Sequence, residues 1–186
     1  PLKLHSLHSP MFNDEVNGRS GPDSILDITE PNKARRIAVV DEIKRALEVA
    51  ESIPCRYIVQ HLGVNYKEFD ERRSDCAFTS LEEIVLFARH RGVEVLLENI
   101  QNDFSSSERL IWFNRQTHLD LNYCYDIGHA HIMESVADAY DQMRPSIRST
   151  HIHDNNGKED SHLVPESGTI DWRKAMKLLR SAQGQY

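Results

Sequence analysis

Basic residues are in short supply in this chain. Twenty-two Lys and Arg stand against 29 Asp and Glu, giving a formal net charge of −7. A surface that tracks a phosphate backbone normally carries a basic patch or stripe, so nucleic acid is disfavoured as a partner. Cysteine is scarce too. Cys55, Cys76 and Cys124 make an odd count without paired spacing, which argues against a disulfide framework and for reduced thiols in a cytoplasmic protein, packed as small buried residues. No apolar run approaches the roughly 20 residues of a membrane span. Pro1 to Pro10 lacks the charged-then-apolar pattern of a secretion signal, so neither a membrane nor an export route is expected.

Several motifs are missing as well. No Gly-x-Gly-x-x-Gly follows a strand pattern and no Gly-Lys-Ser or Gly-Lys-Thr occurs, which disfavours nucleotide chemistry. Gly-x-Ser-x-Gly is absent, which disfavours a serine hydrolase. The chain does have 186 residues, 39% of them hydrophobic and 27% charged, enough for one core in a single domain over 1–186. That length is short for a closed eight-stranded α/β barrel, which usually takes about 250 residues.

Periodicity predicts alternating strands and helices. Ile37, Val40, Ile43, Leu47 and Ala50 recur at helical spacing between Lys33 and Glu51, with Pro31 at a first-turn position. Thr79 with Glu82 and Ser80 with Glu83 have capping-box spacing before a second stripe that Gly92 terminates. Ser105 and Glu108 repeat that spacing before Leu110 and Phe113. Ile132, Val136, Tyr140 and Met143 form a stripe stopped by Pro145, and Asp171 caps one through Trp172, Ala175, Leu178, Leu179 and Ala182. Between them lie strand-like segments: Leu2 to His8, Arg56 to His61, Val93 to Asn99, Leu119 to Asp126 and Ser146 to Asp154. This alternation predicts an α/β fold with a mostly parallel sheet. A polar segment, Asn155 to Gly168, rich in His, Asp and Glu, is long enough to suggest function.

Every candidate strand stops at a residue able to bind metal: His8, His61, Glu98, Asp126 and His151. In a parallel α/β sheet or barrel the carboxyl ends of the strands share one face, where ligands bind. A lone histidine is more often structural, and Glu98 with Asp126 also suits a salt bridge, so the weight rests on the set. Carboxylate and imidazole donors suit Mn²⁺, Mg²⁺, Co²⁺ or Zn²⁺. With no cysteine at a strand end, a thiolate zinc site is not expected.

The stretches His61-Leu62-Gly63, Glu98-Asn99, Asp126-Ile127-Gly128-His129-Ala130-His131, His151-Ile152-His153-Asp154-Asn155-Asn156-Gly157-Lys158 and Asp160-Ser161-His162-Leu163-Val164-Pro165 resemble the xylose-isomerase-like TIM-barrel superfamily over nearly the whole chain. That superfamily holds sugar and sugar-phosphate isomerases and epimerases, some dehydratases, and the endonuclease IV group of abasic-site nucleases. The resemblance implies a TIM (β/α)8 barrel that is incomplete here, with about five βα units present and the first and last units missing, as an open parallel arc. It implies one divalent metal ion held by Glu, Asp, His and Glu from successive strands, with Glu98, Asp126 and His151 at the first three positions. The fourth, a Glu on the next strand, has no match before Tyr186. Glu98 would also act as base, and His129, His61 and His8 would hold substrate hydroxyls, His129 with a catalytic part. Glu166 departs from the family, where the turn has Gly.

The implied function is a divalent-metal-dependent isomerase or epimerase acting on a keto-sugar or sugar phosphate through a metal-stabilised enediolate, with room for a homo-oligomer. Two alternatives stay open. One is an endonuclease IV-like zinc-dependent abasic-site nuclease, in which Asp160 and His162 supply additional metal ligands with His8 and His61. The other is a catalytically inactive barrel fragment acting as a binding module.

Overall fold

The computed structural model describes residues 2–13, 24–65 and 68–181. Ala182 of the last predicted stripe lies outside the described residues. Two compact units are present, the first built from Pro1–Gly63 with Phe69–Val95, the second from Val64–Glu68 with Leu96–Tyr186. Strands and helices alternate as predicted, the strand order β1-β2-β3-β4-β5 is the chain order, and the pairings β1–β2, β3–β4 and β4–β5 are parallel. An α/β chain of about five βα units is therefore present.

In the first unit β1 (Ser6–His8) pairs with β2 (Tyr57–His61), Ser6 opposite Tyr57 and His8 opposite Val59. The predicted strand over Leu2 to His8 shrinks to its last three residues, where that pairing begins. Helix α1 (Lys33–Leu47) starts at Asn32, whose side chain accepts from the Ala34 and Arg35 amides; Pro31 therefore precedes the cap instead of lying in the first turn. It buries Val40, Ile43 and Leu47 of the predicted face and Val39 beside them, while Ile37 is exposed. The short α2 (Val49–Ser52) follows.

Helix α3 (Glu71–Arg89) begins eight residues ahead of the predicted cap at Thr79, because Asp70 accepts from the Arg73 amide. Thr79 and Ser80 end up inside the helix, their hydroxyls turned back to the carbonyls of Asp75 and Cys76, the usual behaviour of such side chains within helices. Cys76, Ala77, Leu81, Ile84, Val85 and Ala88 are buried.

The second unit places Tyr123 and Cys124 of β4 (Asn122–Asp126) between β3 (Glu94–Glu98) and β5 (Ile147–His151), with Asp126 opposite His151 and Glu98 opposite Cys124. Helix α4 (Ser107–Gln116) is capped by Ser106, one residue past the predicted Ser105. The predicted stripe from Ile132 to Met143 is two helices, α5 (Ile127–Met133) and α6 (Val136–Met143), because Ser135 caps a fresh start. Helix α7 (Trp172–Ser181) begins after Asp171 as predicted. Buried apolar residues from every element of this unit, among them Leu97, Phe104, Phe113, Tyr125, Tyr140, Met143 and Trp172, form its core.

All three cysteines are free and buried. Among the described residues no helix is long and apolar enough to cross a membrane.

Candidate metal centre

The sequence at each strand end explains why polar groups survive in a buried place. Val95, Leu96 and Leu97 bury β3, and Glu98 follows at 1% exposure. A carboxylate so buried needs partners. Glu98 Oε1 lies 2.8 Å from His151 Nδ1 and 3.7 Å from His129 Nδ1. Asp126 ends β4 and at once caps α5, accepting the His129 amide at 2.8 Å. Its other oxygen lies 3.9 Å from His151 Nδ1. Asn99 ties the two strand ends together. Its side-chain oxygen accepts the Asp126 amide at 2.8 Å and its amide nitrogen donates to the Asp126 carbonyl at 2.9 Å.

A second cluster adjoins the first. His129 Nδ1 donates to the Asn99 carbonyl at 2.8 Å, which leaves Nε2 facing Asp160 Oδ2 at 3.3 Å. Fixing one ring nitrogen on a backbone carbonyl is the usual way to set the tautomer of a ligating histidine. His153 Nε2 sits 3.0 Å from Asp126 Oδ1 and 3.6 Å from Asp160 Oδ1, and His162 Nε2 sits 3.2 Å from Asp160 Oδ1. The rings of His153 and His162 are stacked, 4.0 Å between centroids at 2°. The buried His153 Nδ1 and Nε2 and Asp160 Oδ1 have no partner of hydrogen-bond geometry. Such atoms demand an explanation, and an ion is a standard one.

Donor atoms of His129, His153, Asp160 and His162 all lie within 4.8 Å of one another, as do those of Glu98, Asp126 and His129. These oxygens and imidazole nitrogens fit a divalent ion such as Mn²⁺, Mg²⁺, Co²⁺ or Zn²⁺.

The electrostatics show how strongly the carboxylates of this cluster act on its imidazoles. Burial alone would lower the His129 pKa, yet the Asp160 hydrogen bond and the charges of Asp126, Glu98 and Asp160 outweigh it and push it up to about 9. His153 is raised in the same way, burial being outweighed chiefly by Asp126. Burial would raise Asp160, but His129, with His162 and His153, holds its carboxyl below the usual range.

Of the predicted site residues, Glu98, Asp126, His129, His151, Asp160 and His162 come together within the second unit. His8 and His61 belong to the first, where their Nε2 atoms are 3.1 Å apart.

One expectation needs correction. Cys124 does stand beside the strand-end donors, its sulfur grouped with Glu98 and His151. Burial, then the charges of Glu98 and Asp126, raise its thiol well above the ordinary range in the ion-free chain.

Sequence reasoning passed over Asn99 and His153 as site residues. Period-two alternation was the available signal for His153, which shares its strand-end face with His151. Gly128 marks the same spot, since a Cβ there would collide with the His153 ring.

A model of the xylose isomerase-like TIM barrel matches residues 2–184. The chain belongs to that family. It is similar to the protein y4fM of Sinorhizobium fredii, 24% identical over 196 residues that cover 96% of this chain and 62% of that protein. The chain thus spans about three fifths of the length of the curated relatives it matches. Among solved structures, a D-tagatose 3-epimerase-like protein is similar at 26% identity and TM-score 0.78, covering 96% of this chain and 66% of its own. The 3-keto-D-glucoside 4-epimerase YcjR of E. coli, solved in apo form, aligns at 18% identity and TM-score 0.75, covering 97% and 68%. A xylose isomerase-like TIM barrel protein of Mycobacterium smegmatis in complex with magnesium aligns at 15% identity and TM-score 0.68, covering 98% and 64%. The fold of this chain is that of part of a TIM barrel.

Proposed function

We propose that this chain carries the metal centre of a divalent-metal-dependent isomerase or epimerase acting on a keto-sugar or sugar phosphate. The observation behind the reading is the approach of Glu98, Asp126 and His151 from successive strand ends, with both carboxylates within 3.9 Å of one His151 nitrogen. Two of the similar structures are named as an epimerase and an epimerase-like protein, which supports the same class.

When bound, the ion would polarise a substrate carbonyl and stabilise the charge that develops as the neighbouring carbon loses its proton. Glu98 is the proposed base for that proton. A well-matched base contributes about 10²–10⁴-fold. Its surroundings favour that role, since burial excludes water while His151 and His129 hold the carboxylate in place. His129, anchored on the Asn99 carbonyl, would orient a substrate hydroxyl. The proposed centre uses residues of the second unit alone.

The test begins with ion-free protein, reloaded separately with Mn²⁺, Mg²⁺, Co²⁺ or Zn²⁺ and incubated with keto-sugars and their phosphates in deuterated water. Deuterium should enter at the carbon beside the carbonyl, and only in the presence of an ion. Ion uptake without exchange on any sugar would leave a binding module, and no ion uptake would overturn the reading.

A zinc-dependent abasic-site nuclease is the second reading, and one observation favours it: the cluster of His129, His153, Asp160 and His162 beside the first donor set. The net charge of −7 opposes it, because DNA binding relies on Lys and Arg replacing condensed counterions. About three zinc ions per chain together with cleavage of abasic DNA would put it first.

A further inference from the structure

Asp160 and His162 reach the second cluster from the segment between β5 and α7, and one buried side chain holds both limbs of that segment. Asp154 is 0% exposed. Its Oδ1 accepts the amides of Asn155 at 2.8 Å and Ile170 at 3.2 Å, and its Oδ2 accepts the Gly168 amide at 2.9 Å and the Trp172 indole N–H at 2.6 Å. Its backbone bonds in both directions with Leu163, the residue after His162, at 2.7 and 2.8 Å. The outgoing limb is thus fixed next to His162, and the returning limb is fixed from Gly168 to Trp172.

The packing leaves little slack. A Cβ on Gly168 would collide with Asp154 Oδ1 and the Asn155 carbonyl, so the backbone must come in bare. Burial would raise the Asp154 carboxyl, but the Trp172 hydrogen bond and the three amides outweigh it and hold it down at about 2, so it is ionised under ordinary conditions. Hydrogen bonds to a charged acceptor are shorter and roughly twice as strong as neutral ones.

We infer that Asp154 is a positioning residue, clamping the 155–172 segment so that Asp160 and His162 meet His129 and His153. The carboxylate of Asp154 is spent on backbone amides and the Trp172 indole, not on those four side chains. The consequence for ion binding rests on the metal-centre reading; the positioning itself does not.

The experiment compares the chain with Asp154→Asn, which keeps the size of the side chain but replaces acceptor oxygen with a donor, and with Gly168→Ala, which strains the clamp from the other limb. In ion-free protein at one fixed pH, the stacked rings of His153 and His162 should give a proton–proton Overhauser contact that both variants lose. Amide exchange at Leu163, Gly168 and Ile170 should accelerate at least about tenfold, while the amides of Asp126 and His129 keep their protection. In zinc competition with a chelator, the site containing Asp160 and His162 should weaken about 10–100-fold, the range for lost outer supports of a ligand.

Should Asp154→Asn fail to fold, Trp172→Phe, which removes a single donor, takes its place with the same readouts. Retention of the ring contact and of slow exchange in the folded variants would overturn the inference. If the chain binds no zinc at all, the metal reading fails, while the ring contact and the exchange rates still decide whether Asp154 sets the segment.

Discussion

His151 Nδ1 lies 2.8 Å from Glu98 Oε1, although 53 residues separate the two in the chain. The pairing follows from parallel topology. Strand β3 delivers a carboxylate and β5 an imidazole at the same end of the sheet, and β4 between them adds Asp126 opposite His151. In the ion-free chain the His151 N–H satisfies Glu98; in the proposed centre both groups would instead serve as ligands.

Glu98→Gln should therefore weaken Mn²⁺ binding by more than about 100-fold, the upper end for losses one shell further out. Isothermal titration of chelator-treated protein reads this directly. Unchanged affinity would remove Glu98 from the centre.

Protonation of His129 makes the ion-free protein pH-dependent. Its folded pKa of about 9 lies above the ordinary 6.5, so the stabilisation is complete below about pH 6.5 and is lost as pH rises through about 9. The contribution is on the order of 3 kcal/mol. Urea unfolding at pH 6 and pH 10 should show that loss in the chain and a much smaller one in His129→Gln. The same proton competes with any ion for the ring, so zinc affinity should increase with pH over this range.

Gly128→Ala should destabilise the chain even though alanine suits helix α5 better than glycine by about 1 kcal/mol. The new methyl meets the His153 ring, which is buried and stacked on His162. Forced repacking of this kind costs about 1–3 kcal/mol, so a net loss of about 1 kcal/mol in urea unfolding is expected, and Gly128→Ala combined with His153→Ala should recover it. A stabilised single variant would contradict the crowding.

Glu166 has a φ of +74°, in the left-handed region that favours glycine. That conformation costs a non-glycine residue about 1–2 kcal/mol, against about 0.4–1 kcal/mol that glycine adds to the freedom of the unfolded chain. Glu166→Gly should then gain about 0.5 kcal/mol, a rise of about 1–2 °C in Tm. Calorimetry checks the sign.

Much of the fold and the centre was legible in the sequence because period and chemistry pointed the same way. Leu96, Leu97 and Glu98 read as a buried strand with a carboxylate at its end, and Asp126 read as another such strand end. Where local signals competed, spacing misled. Thr79 and Ser80 have the spacing of a cap, but Asp70 caps the helix first and the hydroxyls turn inward to backbone carbonyls. Ser135 cut one apolar stripe into two helices, a break that hydrophobic spacing alone does not reveal. Asn99 and His153 were hidden for another reason: their roles arise from neighbours far along the chain, the Asp126 backbone for Asn99 and Asp126 Oδ1 for His153.

Asn99 has a consequence for how such a chain can change. It grips the main chain of Asp126 and no side chain of the loops, so the separation of the two carboxylate-bearing strand ends is written into backbone geometry. The segments that follow the strands can lengthen, shorten or exchange residues while that separation stays fixed. One frame of donors can in this way persist over evolutionary time, with novelty confined to the loops and inheritance to the strands.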